Sequence, residues 1–305
     1  MSNDKSKSCQ VQQRPTKLTV PCDKLSKIIF TISRDEYAGI IENHEVCYCS
    51  EGVKKGEKVE TPFWLKHVKD YKDKLPPDGF TRAVLFHAMN FLERGFKFFT
   101  FSMVFDSLNG GEEKRHICKE QYDAIKRAID NLGFTLITID LKPLLEACPK
   151  YAANFKGDLK RAEIVGCLLP MKYAEIEING QKTLAVKLLD ESPLMTYAKL
   201  KNQVMTYDIS PLAIPGQKNT PQVMTIKNYL LRRIELARQR KGIRPIILFD
   251  TLYKNCGLAD ASDSTKQNAR KIIVDTLKAF VSDGVIKNFE FERQDGTYRA
   301  IKFYF

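Results

Sequence analysis

The chain predicts an α+β fold, and three observations carry that expectation. Apolar residues recur at helical spacing through several long stretches. Paired β-rich runs flank Asn179-Gly180 and Asp295-Gly296, dipeptides that supply the positive φ of a tight hairpin turn. The order helix, helix, amphipathic helix, hairpin appears twice, with no sequence identity between the two occurrences. That order is the winged form of the helix-turn-helix, whose third helix enters a major groove while the hairpin lies beside the backbone. The expected architecture is two tandem winged helix-turn-helix domains behind an irregular N-terminal extension.

Residues 1–77 are expected to form a flexible tail (1–17) and that extension. Ile28, Ile29, Phe30 and Ile32 cluster there without a period, and 52–61 is charged and loop-like. Phe63–Tyr71 reads as a short helix before Pro76-Pro77-Asp78-Gly79, a firm break. The first domain is placed at 78–205. Thr81–Arg94 reads as a helix, with Val84, Leu85, Ala88, Phe91 and Leu92 on one stripe. Phe98–Leu108 follows as a shorter helix, or a strand and helix, stopped at Asn109-Gly110-Gly111. Ile117–Asn131 is the third helix, with Tyr122, Ile125, Ala128, Ile129 and Leu132 inward, and Gly133 suits its end. Phe134–Leu141 is a strand, Pro143–Ala147 a helical turn, and Ala162–Leu169 precedes the hairpin Lys172–Ile178 with Lys182–Leu189. Ser192–Val204 reads as a connecting helix, and 206–221, with Pro211, Pro215, Gly216 and Pro221, as a linker.

The second domain is placed at 222–305. Gln222–Lys241 is a long helix with Val223, Ile226, Leu230, Ile234 and Ala237 buried, and Pro245–Cys256 is the next, ended by Gly257. The third runs from about Ser264 to Ser282. Ala269, Ile272, Ile273, Thr276, Leu277 and Phe280 gather on one side of its wheel, and Gln267, Asn268, Lys271, Asp275 and Lys278 opposite. Val285–Arg293 and Tyr298–Phe305 form the wing.

Charge points to a polyanionic partner. The net charge is +12, and residues 220–305 hold 16 Lys+Arg against 9 Asp+Glu, while the longer 1–219 holds 33 against 28. Lys227, Arg232, Arg233, Arg238, Arg240, Lys241 and Arg244 oppose the single Glu235 along one stretch. A solvated helix face mixes both signs, so this stretch is assigned to DNA phosphates. On the third helix, Ser264, Gln267, Asn268 and Lys271 are placed deepest: Asn and Gln pair with adenine, and Lys approaches guanine. Lys278 shares that face, and Arg270, Arg293 and Arg299 are assigned to the backbone. The first domain's third helix mixes Lys119, Lys126 and Arg127 with Glu120, Asp123 and Asp130, which suits dimerisation or weak DNA contact better than reading.

Other chemistries find little support. No Gly-x4-Gly-Lys-Ser/Thr loop is present. His44, His67, His87 and His116 are scattered, so no His-x-His pair can hold a metal beside a nicking tyrosine. His44, Cys47 and Cys49 have a spacing tight for zinc and no second cysteine pair nearby. No catalytic residue, metal ligand or cofactor is therefore expected. No apolar run reaches a membrane span, and the polar start MSNDKSKSCQ is unlike a signal peptide, so a cytoplasmic protein with free thiols among its eight cysteines is expected.

Two winged-helix units joined by a linker, the basic one last, resemble the theta-type plasmid and phage replication initiators (Rep proteins) over roughly 78–305. Ser192-Pro193-Leu194-Met195-Thr196-Tyr197-Ala198, Asn219-Thr220 and Tyr229-Leu230-Leu231-Arg232-Arg233-Ile234 also look like uncharacterised proteins of phages and mobile elements. The resemblance implies binding of repeated origin sites on double-stranded DNA, monomer and dimer forms, and recruitment of host replication proteins without DNA cleavage. A winged-helix transcriptional regulator and a metal-dependent nuclease are the alternatives.

Overall fold

The computed structural model describes residues 16–54, 57–68, 76–111, 116–148, 151, 161–178 and 180–305. The expected tail up to residue 15 and the asparagine of the first hairpin turn, Asn179, lie outside them. The described residues form an α+β structure in which helices pack among four small antiparallel sheets.

The expectation of an irregular extension over 18–60 is corrected. Strand β1 (Lys17–Pro21) is followed by α1 (Lys24–Ile29) and α2 (Arg34–Asn43), then by β2 (Cys47–Lys54) and β3 (Glu57–His67). Each helix starts on a side-chain cap, which satisfies amide groups that have no partner within the helix. Asp23 accepts from the Ser26 backbone N at 2.7 Å, and Ser33 and Glu36 form a capping box. The short helix expected at Phe63–Tyr71 is also corrected, because its described part is strand β3 (the stretch from 69 is outside the described residues). Phe63, Leu65 and His67 are buried while Lys66 is exposed, the two-residue period of a strand.

The first three-helix unit begins with α3 (Gly79–Glu93), capped by Asp78, whose side chain accepts from the Thr81 N at 2.8 Å. Every residue from Gly79 to Phe91 is buried, so this helix sits inside the molecule rather than on it. Strand β4 (Phe98–Thr100) and α4 (Phe101–Leu108) follow, then α5 (Lys119–Phe134). Before the hairpin the chain makes β5 (Thr135–Asp140), α6 (Lys142–Ala147) and β6 (Glu163–Cys167). These two strands join the N-terminal pair in a sheet of order β2-β3-β5-β6, which gives the extension its regular structure. The hairpin β7 (Met171–Ile178) and β8 (Gln181–Leu188) takes β4 on its other edge, in the order β4-β8-β7.

The connecting helix is shorter than expected. α7 (Pro193–Leu200) stops before Asn202, whose φ of 53° is left-handed, and β9 (Val204–Asp208) pairs with β1, Leu18 facing Tyr207. The expected linker thus begins inside a sheet, and it continues as a short 3-10 turn at Ser210–Leu212.

The second unit repeats the order of the first. α8 (Pro221–Gln239) is followed by β10 (Ile246–Leu248), α9 (Phe249–Asn255), α10 (Asp263–Ser282) and the hairpin β11 (Asn288–Gln294) and β12 (Thr297–Tyr304). Its sheet order is β10-β12-β11, the same arrangement as β4-β8-β7. The helix expected at Pro245–Cys256 is corrected to a strand and a shorter helix. Three residues are too few to show a period, yet Ile246, Ile247 and Leu248 pair with Lys302, Ile301 and Ala300. The predicted turn is present, with Asp295 at φ 50° and Gly296 at φ 77°.

The two units meet where α3 packs on α8. That seam carries buried polar groups, each with a partner, as burial requires. His87 joins Ser107 Oγ through Nδ1 at 2.7 Å and Asn228 Oδ1 through Nε2 at 2.8 Å. Burial drives the His87 imidazolium down to a pKa of about 4, so the ring is neutral there. Arg82 donates to Asn255 Oδ1 at 2.9 Å. Gly79 lies so close to α9 that a Cβ would sit 2.0 Å from the Asn255 carbonyl oxygen.

Candidate nucleic-acid interface

The α10 helix begins on Ser262, whose hydroxyl accepts from the Thr265 N at 3.4 Å. Ala269, Ile273, Thr276, Leu277 and Phe280 are buried, which fixes the helix's rotation about its axis. The rotation leaves Ser264, Gln267, Asn268, Lys271, Asp275 and Lys278 exposed in one strip at three- and four-residue spacing. The helical wheel puts Gln267, Asn268, Lys271, Asp275 and Lys278 opposite the core, and the structure places them there, with Ser264 beside them. One carboxylate, Asp275, accompanies the two lysines.

The hairpin stands beside this strip. Between them is a cleft of about 490 Å³ lined by Gln267, Arg270, Lys271, Val274 and Asp275 of α10, and by Phe249, Phe291 and Tyr298. Its aromatic wall is a continuous cluster: Phe249 lies 6.1 Å from Phe291 and 5.6 Å from Tyr298, ring centre to ring centre. Two arginines are oriented by the same tyrosine. Arg270 lies 5.8 Å from the Tyr298 ring centre and donates to the Tyr253 hydroxyl at 3.2 Å. Arg293 lies 4.5 Å over that ring and donates to its hydroxyl at 2.7 Å. Among the described residues neither guanidinium is paired with a carboxylate, so both retain donors for an anion. The sequence marked the hairpin as aromatic; Tyr253 and Tyr298 were not singled out, since a positioning role depends on contacts between elements.

The basic stretch of α8 is redistributed by the fold. Lys227 is fully buried, so its assignment to DNA phosphate is corrected. Its Nζ donates to Asn109 Oδ1 at 2.6 Å, the Leu212 carbonyl at 2.8 Å and Asn219 Oδ1 at 3.1 Å, tying α8 to the first unit. Arg238 is paired with Glu235, donates to the Val285 carbonyl and lies 5.3 Å over Phe305. Arg240 donates to Cys22 Sγ at 2.7 Å. These two guanidiniums are committed within the molecule. Lys241 and Arg244 are exposed.

The remaining cations do not join the α10 strip. Arg232, Arg233, Arg244 and Arg299 line a second cleft of about 630 Å³ together with Lys27 of α1. The pleat of the hairpin separates the two spaces: Phe291 and Tyr298 line the first, and their neighbours Glu292 and Arg299 the second. Lys27 carries no sequence signal for this role, because it lies some two hundred residues away in the chain.

In the first unit, α5 carries charge of both signs. Lys126 pairs with Asp130 at 2.8 Å, and the Tyr173 hydroxyl of β7 donates to the same carboxylate at 2.5 Å. Among the described residues no group of three or more His, Cys, Asp or Glu side chains is placed to hold a metal, and no helix is long and apolar enough to cross a membrane. The seven described cysteines are unbridged, and burial raises the Cys49 thiol to a pKa of about 11.

No protein-family model matches the chain, and no curated protein matches it. Among solved structures it aligns with domains 2-3 of RctB over 85% of this chain and 91% of that one, at 10% identity and a TM-score of 0.41. Selenomethionine derivatives of domains 2 and 3 of RctB align over 85% and 90%, at 12% identity and a TM-score of 0.39. Likenesses this distant transfer no residue roles, so the chemistry of the interface rests on its own side chains.

Proposed function

We propose that this chain is a sequence-specific double-stranded DNA-binding protein that starts replication of a plasmid, phage or other mobile element by binding origin repeats, without catalysis. In this reading 78–205 and 222–305 are tandem winged helix-turn-helix domains, and the second does the reading. The observation that carries it is the α10 strip. Gln267, Asn268 and Lys271 stand exposed on a helix whose other face is locked in the core, beside a hairpin that presents two arginines on an aromatic support. A helix of this diameter fits the major groove of B-form DNA. Gln267 and Asn268 then read adenine edges and Lys271 a guanine, while Ser264, Lys278, Arg270 and Arg293 contact phosphates. The first unit is assigned to pairing of two chains, since its α5 face is charge-balanced and repels a backbone as much as it attracts one. Host replication proteins are the further partners.

Selection of bound fragments from a random library and from a library of the element's own DNA, at fixed salt, tests this. Iterated repeats beside the gene are the expected result. A single promoter palindrome shifts the reading to a transcriptional regulator, and nicking of supercoiled DNA in Mg²⁺ or Mn²⁺ shifts it to a nuclease. Absence of any salt-dependent DNA affinity overturns it.

A further inference from the structure

The cleft on the far side of the hairpin collects five cations from four separate segments: Lys27 of α1, Arg232 and Arg233 of α8, Arg244 before β10, and Arg299 of β12. Its two carboxylates are already committed. Asp23 is buried and accepts from the Ser26 N and hydroxyl, both at 2.7 Å, and Glu292 pairs with Lys302 at 3.3 Å. Among the described residues neither carboxylate pairs with one of the five cations. Burial, and after it the charges of Arg233 and Arg232, push the Lys27 ammonium below its ordinary pKa. Arg233 uses Nη2 on the carbonyls of Arg244 at 3.4 Å and Ile246 at 3.3 Å, while its Nη1 is buried with no acceptor. A buried donor left without a partner is rare in a folded protein. Guanidinium groups favour phosphate and carboxylate oxygens, which accept two parallel bonds. One phosphate carries at most about two charges against these five cations, so the complement is a ligand with several phosphates in a row.

We propose that this cleft is a second phosphate-binding site, separate from the α10 strip, in which Lys27, Arg232, Arg233, Arg244 and Arg299 hold consecutive phosphates of a nucleic-acid backbone or of a free polyphosphate. The proposal goes beyond the α10 reading and does not need it, because no residue lines both clefts. It also gives the N-terminal segment a part in binding that the hairpin unit alone lacks.

Titration of the full chain with tripolyphosphate, and with a non-specific duplex across a salt series, tests it. The variants are Lys27→Gln, Arg244→Gln and the pair together, with Lys271→Ala as control; melting temperatures confirm folding. Tripolyphosphate is expected to bind the wild type and the control alike, and to lose at least tenfold in affinity in the double variant. If a backbone is the source, the slope of log affinity against log salt also flattens by about 0.9 for each cation removed, and tripolyphosphate competes with duplex. If a free polyphosphate is the source, the slope is unchanged while the tripolyphosphate loss remains. Tripolyphosphate binding that is absent, or unaffected by the cleft variants, overturns the proposal. The α10 reading fails separately, through unchanged base preference in Lys271→Ala.

Discussion

Lys227→Met separates a structural lysine from a DNA-contacting one. The substitution keeps an unbranched side chain of similar volume, so no cavity opens, but it removes the donor shared by Asn109 Oδ1, the Leu212 carbonyl and Asn219 Oδ1. Hydrogen bonds to a charged group contribute about 1.5–3 kcal/mol each, and the ammonium's own desolvation offsets part of the sum. A net loss of roughly 3 kcal/mol is expected. Spread over a chain of 305 residues, that lowers the melting temperature by about 5 °C, since the unfolding entropy grows with length. Thermal and urea unfolding followed by circular dichroism measure it. Duplex affinity below the transition should be unchanged. A variant as stable as the wild type that binds duplex more weakly would refute the argument and return Lys227 to the interface.

Three further outcomes follow from the seam and the hairpin. His87 is neutral when folded, with a pKa of about 4 against an ordinary 6.5, so the unfolded chain binds its proton first as pH falls. Stability from this group is therefore full above pH 6.5 and declines by up to about 3 kcal/mol towards pH 4; His87→Gln should flatten that part of the stability–pH curve, and an unchanged curve would contradict the assignment. Gly79→Ala places a methyl group where the Asn255 carbonyl oxygen lies 2.0 Å away, and should cost roughly 1–3 kcal/mol in urea unfolding by pushing α3 from α9. Tyr298→Ala removes the ring under Arg270 and Arg293 and should weaken duplex binding severalfold while leaving base preference intact, as read by competition between matched and mismatched sites.

The parts of this molecule legible in its sequence are those with long periods or turn dipeptides. Helices α3, α5, α8 and α10 and both hairpins fall close to their expected places, because each repeats its apolar residues over several turns or carries Asn-Gly or Asp-Gly. Strands β4 and β10, at three residues each, are too short to show alternation, so β10 reads as part of the helix that follows it. Residues 17–67 hide their strands for another reason: β1 finds its partner in β9 and β3 one of its partners in β5, far along the chain. The exposed face of α10 followed from its own wheel. The fate of the α8 cations did not, because Lys227 is held by Asn109 and Leu212, Arg240 by Cys22, and Arg233 by the strand that follows it. A charge run reports composition; which charges remain free depends on the surfaces packed against it.

The central claim is that the exposed strip of α10 reads bases in duplex DNA. Its most direct test is the base preference of the wild type, Asn268→Ala and Lys271→Ala at each position of the selected site, measured at one salt concentration. Each substitution is expected to cut discrimination by about 1–3 kcal/mol at one position and leave the others alone. Equal loss at every position, or no change at any, contradicts the claim.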